Sequence, residues 1–109
     1  MDGTLLDLHY DNIVWGSLLP AHYARHHGTS TDDADAHLSA HMRQIYGTID
    51  FYCLDYWARF TDLDIMAPHR EAAHLIDWRP NAREFLLRLS EQNIPKLLVT
   101  NAHHDSIAI

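Results

Sequence analysis

The chain has 109 residues, enough for one small domain, and its 47% hydrophobic content is compatible with a packed core. A formal charge of −7 argues against non-specific nucleic-acid binding, which needs clusters of Lys and Arg. The lone cysteine, Cys53, excludes an internal disulfide framework, and no apolar run approaches a membrane-spanning length.

The first segment, Met1-Asp2-Gly3-Thr4-Leu5-Leu6-Asp7, holds the turn pair Asp-Gly, which alone says little about chemistry. Asp11 to roughly His27 carries Ile13, Val14, Trp15, Leu18, Leu19 and Tyr23 and reads as a helix kinked at Pro20. Gly28 and the run Thr29-Ser30-Thr31-Asp32-Asp33 form a loop and an N-terminal cap. A second helix holds Leu38, Met42, Ile45 and Tyr46 and stops before Gly47. Asp50 is placed to cap a third, Phe51 to Phe60, and Ala67 to Leu75 forms a fourth.

From Asp7 to about Asp77 there is almost no strand signal. The segment Pro80 to Gln92 then predicts a helix with Pro80 in its first turn and an apolar face of Phe85, Leu86 and Leu89. Asn93 is expected as a left-handed stop. Lys96-Leu97-Leu98-Val99 reads as a buried parallel strand ending in Thr100-Asn101. In α/β folds ligands bind at the carboxyl ends of strands.

Two of these segments resemble the motifs of the haloacid-dehalogenase-like (HAD) hydrolases. Their first motif is Asp-x-Asp-Gly-Thr followed by two apolar residues. Met1 falls on the x and Asp2 on the second Asp, so the nucleophilic Asp is expected one position before Met1. The second motif is a Thr or Ser at a strand end, which Thr100 matches. The resemblance implies an α/β fold: a HAD-like Rossmannoid core with a helical C1-type cap inserted between the motifs. The chain is expected to be an incomplete, mostly helical fragment of it, cut at both ends, with one clear strand near 96–99. Residues 1–10 would be the remnant of the first motif and its flap, 11–77 the cap, and 78–109 part of the core.

More specifically, the chain is similar to bacterial GMP/IMP nucleotidases, through the stretches Met1–Trp15, Ile49–Trp57 and Leu97–His103. That similarity implies magnesium-dependent hydrolysis of a small phosphate ester, a purine nucleoside 5′-monophosphate, through an aspartyl-phosphate. Asp2 matches the general acid/base, worth roughly 10²–10⁴-fold in rate, and its backbone carbonyl a Mg²⁺ ligand. Thr100 matches the phosphate-binding hydroxyl, with Asn101 beside it in contact with the phosphate. The 109-residue chain without the nucleophile is expected to be inactive. Another small phosphate ester, a phosphomutase reaction, or a truncated product without catalytic role are the alternatives. No nucleic acid or membrane is expected as a partner. With no signal-peptide pattern, the cytoplasm is the expected location.

The remaining residues leave choices open. Phe51, Tyr52, Tyr56 and Trp57 either pack the cap or stack on a purine; packing is expected, with one tyrosine touching substrate. Asp11 and Trp15 sit where the chain leaves the first motif, at a hinge or in packing. Ten histidines match no metal-ligand spacing and are expected to be solvated on the cap, His37 and His41 among them. His103-His104 is expected to start an exposed helix, with a substrate contact as the alternative.

Overall fold

The apolar spacing after Leu8 produces one long helical segment in the computed structural model, which describes residues 1–109. It comprises α1 (His9–Ile13), a π-helical turn (Val14–Leu18) and α2 (Leu19–His27). Pro20 lies in the first turn of α2 and has no N–H for the carbonyl one turn back. The wider π turn just upstream absorbs that misfit, so the expected kink takes the form of a π segment. α2 ends at Gly28, whose φ of 67° is left-handed and whose N–H returns to the Ala24 carbonyl.

α3 (Thr31–Ile45) starts at Ser30, whose hydroxyl oxygen accepts the Asp33 N–H at 3.1 Å. The hydroxyl also donates to the Asp33 carboxylate at 2.7 Å, closing a reciprocal cap. The short connection folds α3 back onto α2. The third predicted helix is divided: Ile49–Tyr52 is a 3₁₀ turn, and α4 runs from Leu54 to Thr61. Asp50 therefore does not cap α4. Its carbonyl accepts the Cys53 N–H at 3.1 Å, and the extended Cys53 opens the helix instead. α5 (Met66–Ala72) continues into a 3₁₀ turn, Ala73–Leu75, filling the range expected for the fourth helix.

The core gathers Leu19 of α2, Leu38 of α3, Leu54 and Trp57 of α4, and Ile65 just before α5, with Trp57 fully enclosed. Each such side chain contributes about 1.5–3 kcal/mol when fully buried. A smaller cluster joins Tyr10 and Val14 to Ala72. The two ends of this helical body meet. Leu6 forms an antiparallel bridge with Trp78, the Asp7 N–H donates to the Asp77 carbonyl, and the Arg79 N–H donates to the Leu5 carbonyl, both at 2.9 Å.

Beyond this pairing the structure departs from the expected α/β core. α6 (Ala82–Ser90) begins after Asn81, which adopts a φ of 67°, so Pro80 stands outside the helix. Phe85 and Leu87 of α6 are more than half exposed. Asn93 is not left-handed. Lys96–Val99 forms no strand: Leu97 is 88% and Val99 81% exposed, and the segment has no bridge partner. A strand is stable only when neighbours satisfy its N–H and C=O groups. Only isolated bridges at Asp2, Leu6 and Trp78 exist in this chain. The helical half of the expected architecture forms, and a Rossmannoid sheet does not. The chain closes with α7 (His104–Ile107).

Candidate functional site

A cavity of about 490 Å³ opens between the N-terminal segment, α3, the turn before α4, His69 and the stretch 102–106. That volume lies in the range of small-molecule sites. The N-terminal segment reaches it through a tight turn at Gly3, whose φ is 71° and whose N–H donates to the Leu6 carbonyl at 2.8 Å. A Cβ at this position would come within 3.3 Å of the Leu8 side chain, so both backbone and space favour glycine.

Asp2 lines the cavity and is exposed at its edge. Thr100 and Asn101 lie outside the lining, although the next residues, Ala102 and His103, are part of it. The Thr100 hydroxyl oxygen accepts the Ala102 N–H at 3.1 Å, a local turn bond. The fold thus brings Asp2 and the segment just after Thr100 to one cavity, without the Thr100 hydroxyl itself. With no strand to end at Thr100, nothing presents that hydroxyl inward.

Four aspartates, Asp2, Asp7, Asp11 and Asp35, line the cavity, and no Lys or Arg does. Asp11 is the one the sequence reading left undecided. Its Oδ2 is sealed from solvent and meets no hydrogen-bond donor. Burial, and then the negative charge of Asp2, push its carboxyl up to about 6. The hydroxyl of the preceding residue, Tyr10, lies 2.7 Å from His69 Nδ1. Burial raises Tyr10 to about 12, with Asp11 and Asp2 adding to it, and lowers His69 to about 4. His69 is 2% exposed, and its Nε2 has no partner. Trp15 packs edge-on against both Trp57 and His69. The only sign of Asp11 in the sequence is an acid set one turn before Trp15 on an apolar helix. Nothing around Pro68-His69-Arg70 marks His69.

The chain is 34% identical over all 109 residues to the GMP/IMP nucleotidase YrfG of Escherichia coli (strain K12), and equally to that of Shigella flexneri. It is similar to GMP/IMP nucleotidases. The match covers 49% of each relative, so the chain spans about half the length of the curated relatives it matches. No family model matches, and no solved structure matches.

Phe51, Tyr52 and Trp57 line the cavity, and Tyr56 does not. Tyr56 instead holds His41 Nε2 at 2.7 Å through its hydroxyl. Trp57 is enclosed, and its indole N–H donates to the Phe51 carbonyl at 3.1 Å. Tyr52 keeps an exposed face, 41% accessible. The histidines are less solvated than their number implied: His41 stacks on Phe60 at 3.6 Å, and His69 is buried. His103 starts α7 but is half-buried and lines the cavity, leaving His104 as the exposed one.

Two groups of three potential metal-ligand atoms converge, Cys53/Asp55/His103 and His103/His104/Asp105. Asp2 belongs to neither. For a hard cation such as Mg²⁺ the relevant donors are carboxylate and carbonyl oxygens. Burial is the main cause that raises Asp11, and a divalent cation would offset only the smaller contribution from Asp2. No helix is long and apolar enough to cross a membrane.

Proposed function

We propose that the chain is part of a Mg²⁺-dependent phosphatase that hydrolyses purine nucleoside 5′-monophosphates, GMP and IMP, with residues 11–77 as its cap. The observation that carries this reading is the 34% identity to GMP/IMP nucleotidases running through the whole chain. The position of Asp2 at the edge of an aromatic-walled cavity supports it. In this reading residues 1–10 and 78–109 belong to the α/β core.

The chemistry assigned to the site has two steps. A carboxylate oxygen of an Asp one position before Met1 attacks phosphorus, and the bond from phosphorus to the nucleoside 5′-oxygen breaks. Asp2 gives its proton to that departing oxygen. Water then attacks phosphorus, Asp2 takes the proton back, and the aspartyl ester bond breaks to release phosphate. The products are nucleoside and inorganic phosphate, with one water consumed. Thr100 and Asn101 are assigned to bind the phosphoryl oxygens once a sheet holds the 96–99 segment. Mg²⁺, held by Asp2, would neutralise the phosphate in a cavity that is lined by four aspartates and by no Lys or Arg.

The test is phosphate release from GMP and IMP, with Mg²⁺, by the chain extended upstream through an Asp before Met1. Release is expected, and Asp2→Asn in that protein is expected to lower kcat by at least about 100-fold. Release from other phosphate esters but from neither GMP nor IMP would leave only the broader phosphatase reading.

A further inference from the structure

Among the cavity's carboxylates Asp11 stands apart. Asp2, Asp7 and Asp35 are exposed, whereas Asp11 is half-buried with one oxygen, Oδ2, sealed and without a donor. Asp7 already accepts the His9 N–H at 2.7 Å. An acceptor left unpaired in a buried place costs about 1–3 kcal/mol, more when charged. A donor carried by a bound molecule recovers that cost. Trp15 and the enclosed His69, packed edge to face, and Tyr52 with its free face line the same cavity as Asp11. A flat, partly apolar molecule that carries hydrogen-bond donors matches these walls.

We propose that Asp11 is a specificity-determining residue of this cavity, its carboxyl accepting a hydrogen bond from the nucleoside half of a purine nucleoside monophosphate. This rests on the nucleotidase reading above. The phosphate cannot be the partner, because a phosphate dianion offers no donor and repels a carboxylate. Two parts of the nucleoside supply donors. A 6-oxopurine such as guanine or hypoxanthine presents an N1–H, where adenine presents a lone pair. The ribose presents its 2′-hydroxyl. Either donor on Asp11 gives the same physical result, an ordered nucleoside whose phosphate lies toward Asp2.

The test is calorimetric titration of the 109-residue chain, with Mg²⁺, using GMP, IMP, 1-methyl-GMP and 2′-deoxy-GMP. It is repeated on Asp11→Asn and on the isosteric Asp11→Leu, each checked for an unchanged helical melt. The wild type is expected to bind GMP and to bind one analogue about tenfold more weakly, the scale of one hydrogen bond to a charged group. Weakness confined to 1-methyl-GMP assigns the bond to the base, and weakness confined to 2′-deoxy-GMP assigns it to the ribose. In Asp11→Leu GMP is expected to fall to the level of that analogue, with the difference abolished, and in Asp11→Asn, which keeps an uncharged acceptor, to fall part of the way. Equal binding of all four nucleotides by the wild type would overturn the inference, as would a preference that survives in both variants. Those results leave the nucleotidase reading standing. Absence of any binding of GMP and IMP by the wild type would also overturn the inference, whereas the nucleotidase reading is decided separately by phosphate release from the longer protein.

Discussion

Asp11 and His69 are displaced from their ordinary protonation in opposite directions, and the displacement has a measurable sign. The Asp11 carboxyl sits at about 6 against an ordinary 3.8, chiefly through burial. Between those values the folded chain holds a proton that the unfolded chain has lost, so Asp11 subtracts stability as pH rises through that window. His69 sits at about 4 against 6.5, again through burial. Between those values the unfolded chain binds a proton that the folded chain lacks, so His69 subtracts stability as pH falls. Urea unfolding at pH 4, 5 and 6 therefore has two expected outcomes. Asp11→Asn gains stability relative to wild type as pH rises, and His69→Gln gains relative to wild type as pH falls. Parallel pH profiles for all three proteins would contradict the burial of both groups. Neither residue was legible in the sequence as a buried titrating group. The sequence singles out Asp2 through the motif around it, whereas Asp11 and His69 are 58 positions apart and acquire their surroundings only on folding, when Tyr10 of α1 meets His69 of α5.

At the scale of elements, local chemistry was readable wherever it is self-contained. Gly28 followed by Ser30 and Asp33 stops one helix and starts the next, and both ends fall where that chemistry dictates. Ser30→Ala removes the acceptor for the Asp33 N–H and is expected to cost about 0.5–2 kcal/mol. Gly28→Ala meets no side chain, so its cost is the left-handed backbone alone, about 1–2 kcal/mol. Thermal melts followed by circular dichroism check both. The double variant is expected to fall short of the sum, because the two residues share one short connection. Boundaries set by tertiary contact were less legible. The split of the third helix depends on the Trp57 indole reaching the Phe51 carbonyl, a bond that holds the 3₁₀ turn against α4. No spacing rule encodes it. The π turn before Pro20 likewise follows from a residue that the helical pattern can mark only as a disturbance.

At the scale of the whole molecule, an apolar run such as Lys96–Val99 becomes a strand only if other strands are present to receive it. The helical body supplies none, and the chain is long for its mass. Its radius of gyration is 16.0 Å and it spans 54 × 26 × 20 Å, against roughly 13 Å expected for a compact domain of about 100 residues. The helices were legible because each pairs with sequence neighbours, and Lys96–Val99 forms no strand because no other strand among these residues receives it. Lys96 makes this testable, since it is the sole lysine of the chain and is exposed in unpaired backbone. A lysine-specific protease is expected to cut there well below the melting temperature, because access needs no unfolding of the core. The helical body loses only peripheral contacts at His103 and Ala102, so its melt is expected to move less than a loss of about 1 kcal/mol would produce, roughly 4–8 °C. Rapid cutting in the 109-residue chain, with protection in a longer protein that contains it, would place Lys96–Val99 inside a sheet completed by residues outside this segment. Equal protection in both would mean that the segment finds a partner strand already within these 109 residues or in a second copy, and sedimentation of the chain at several concentrations separates those two cases.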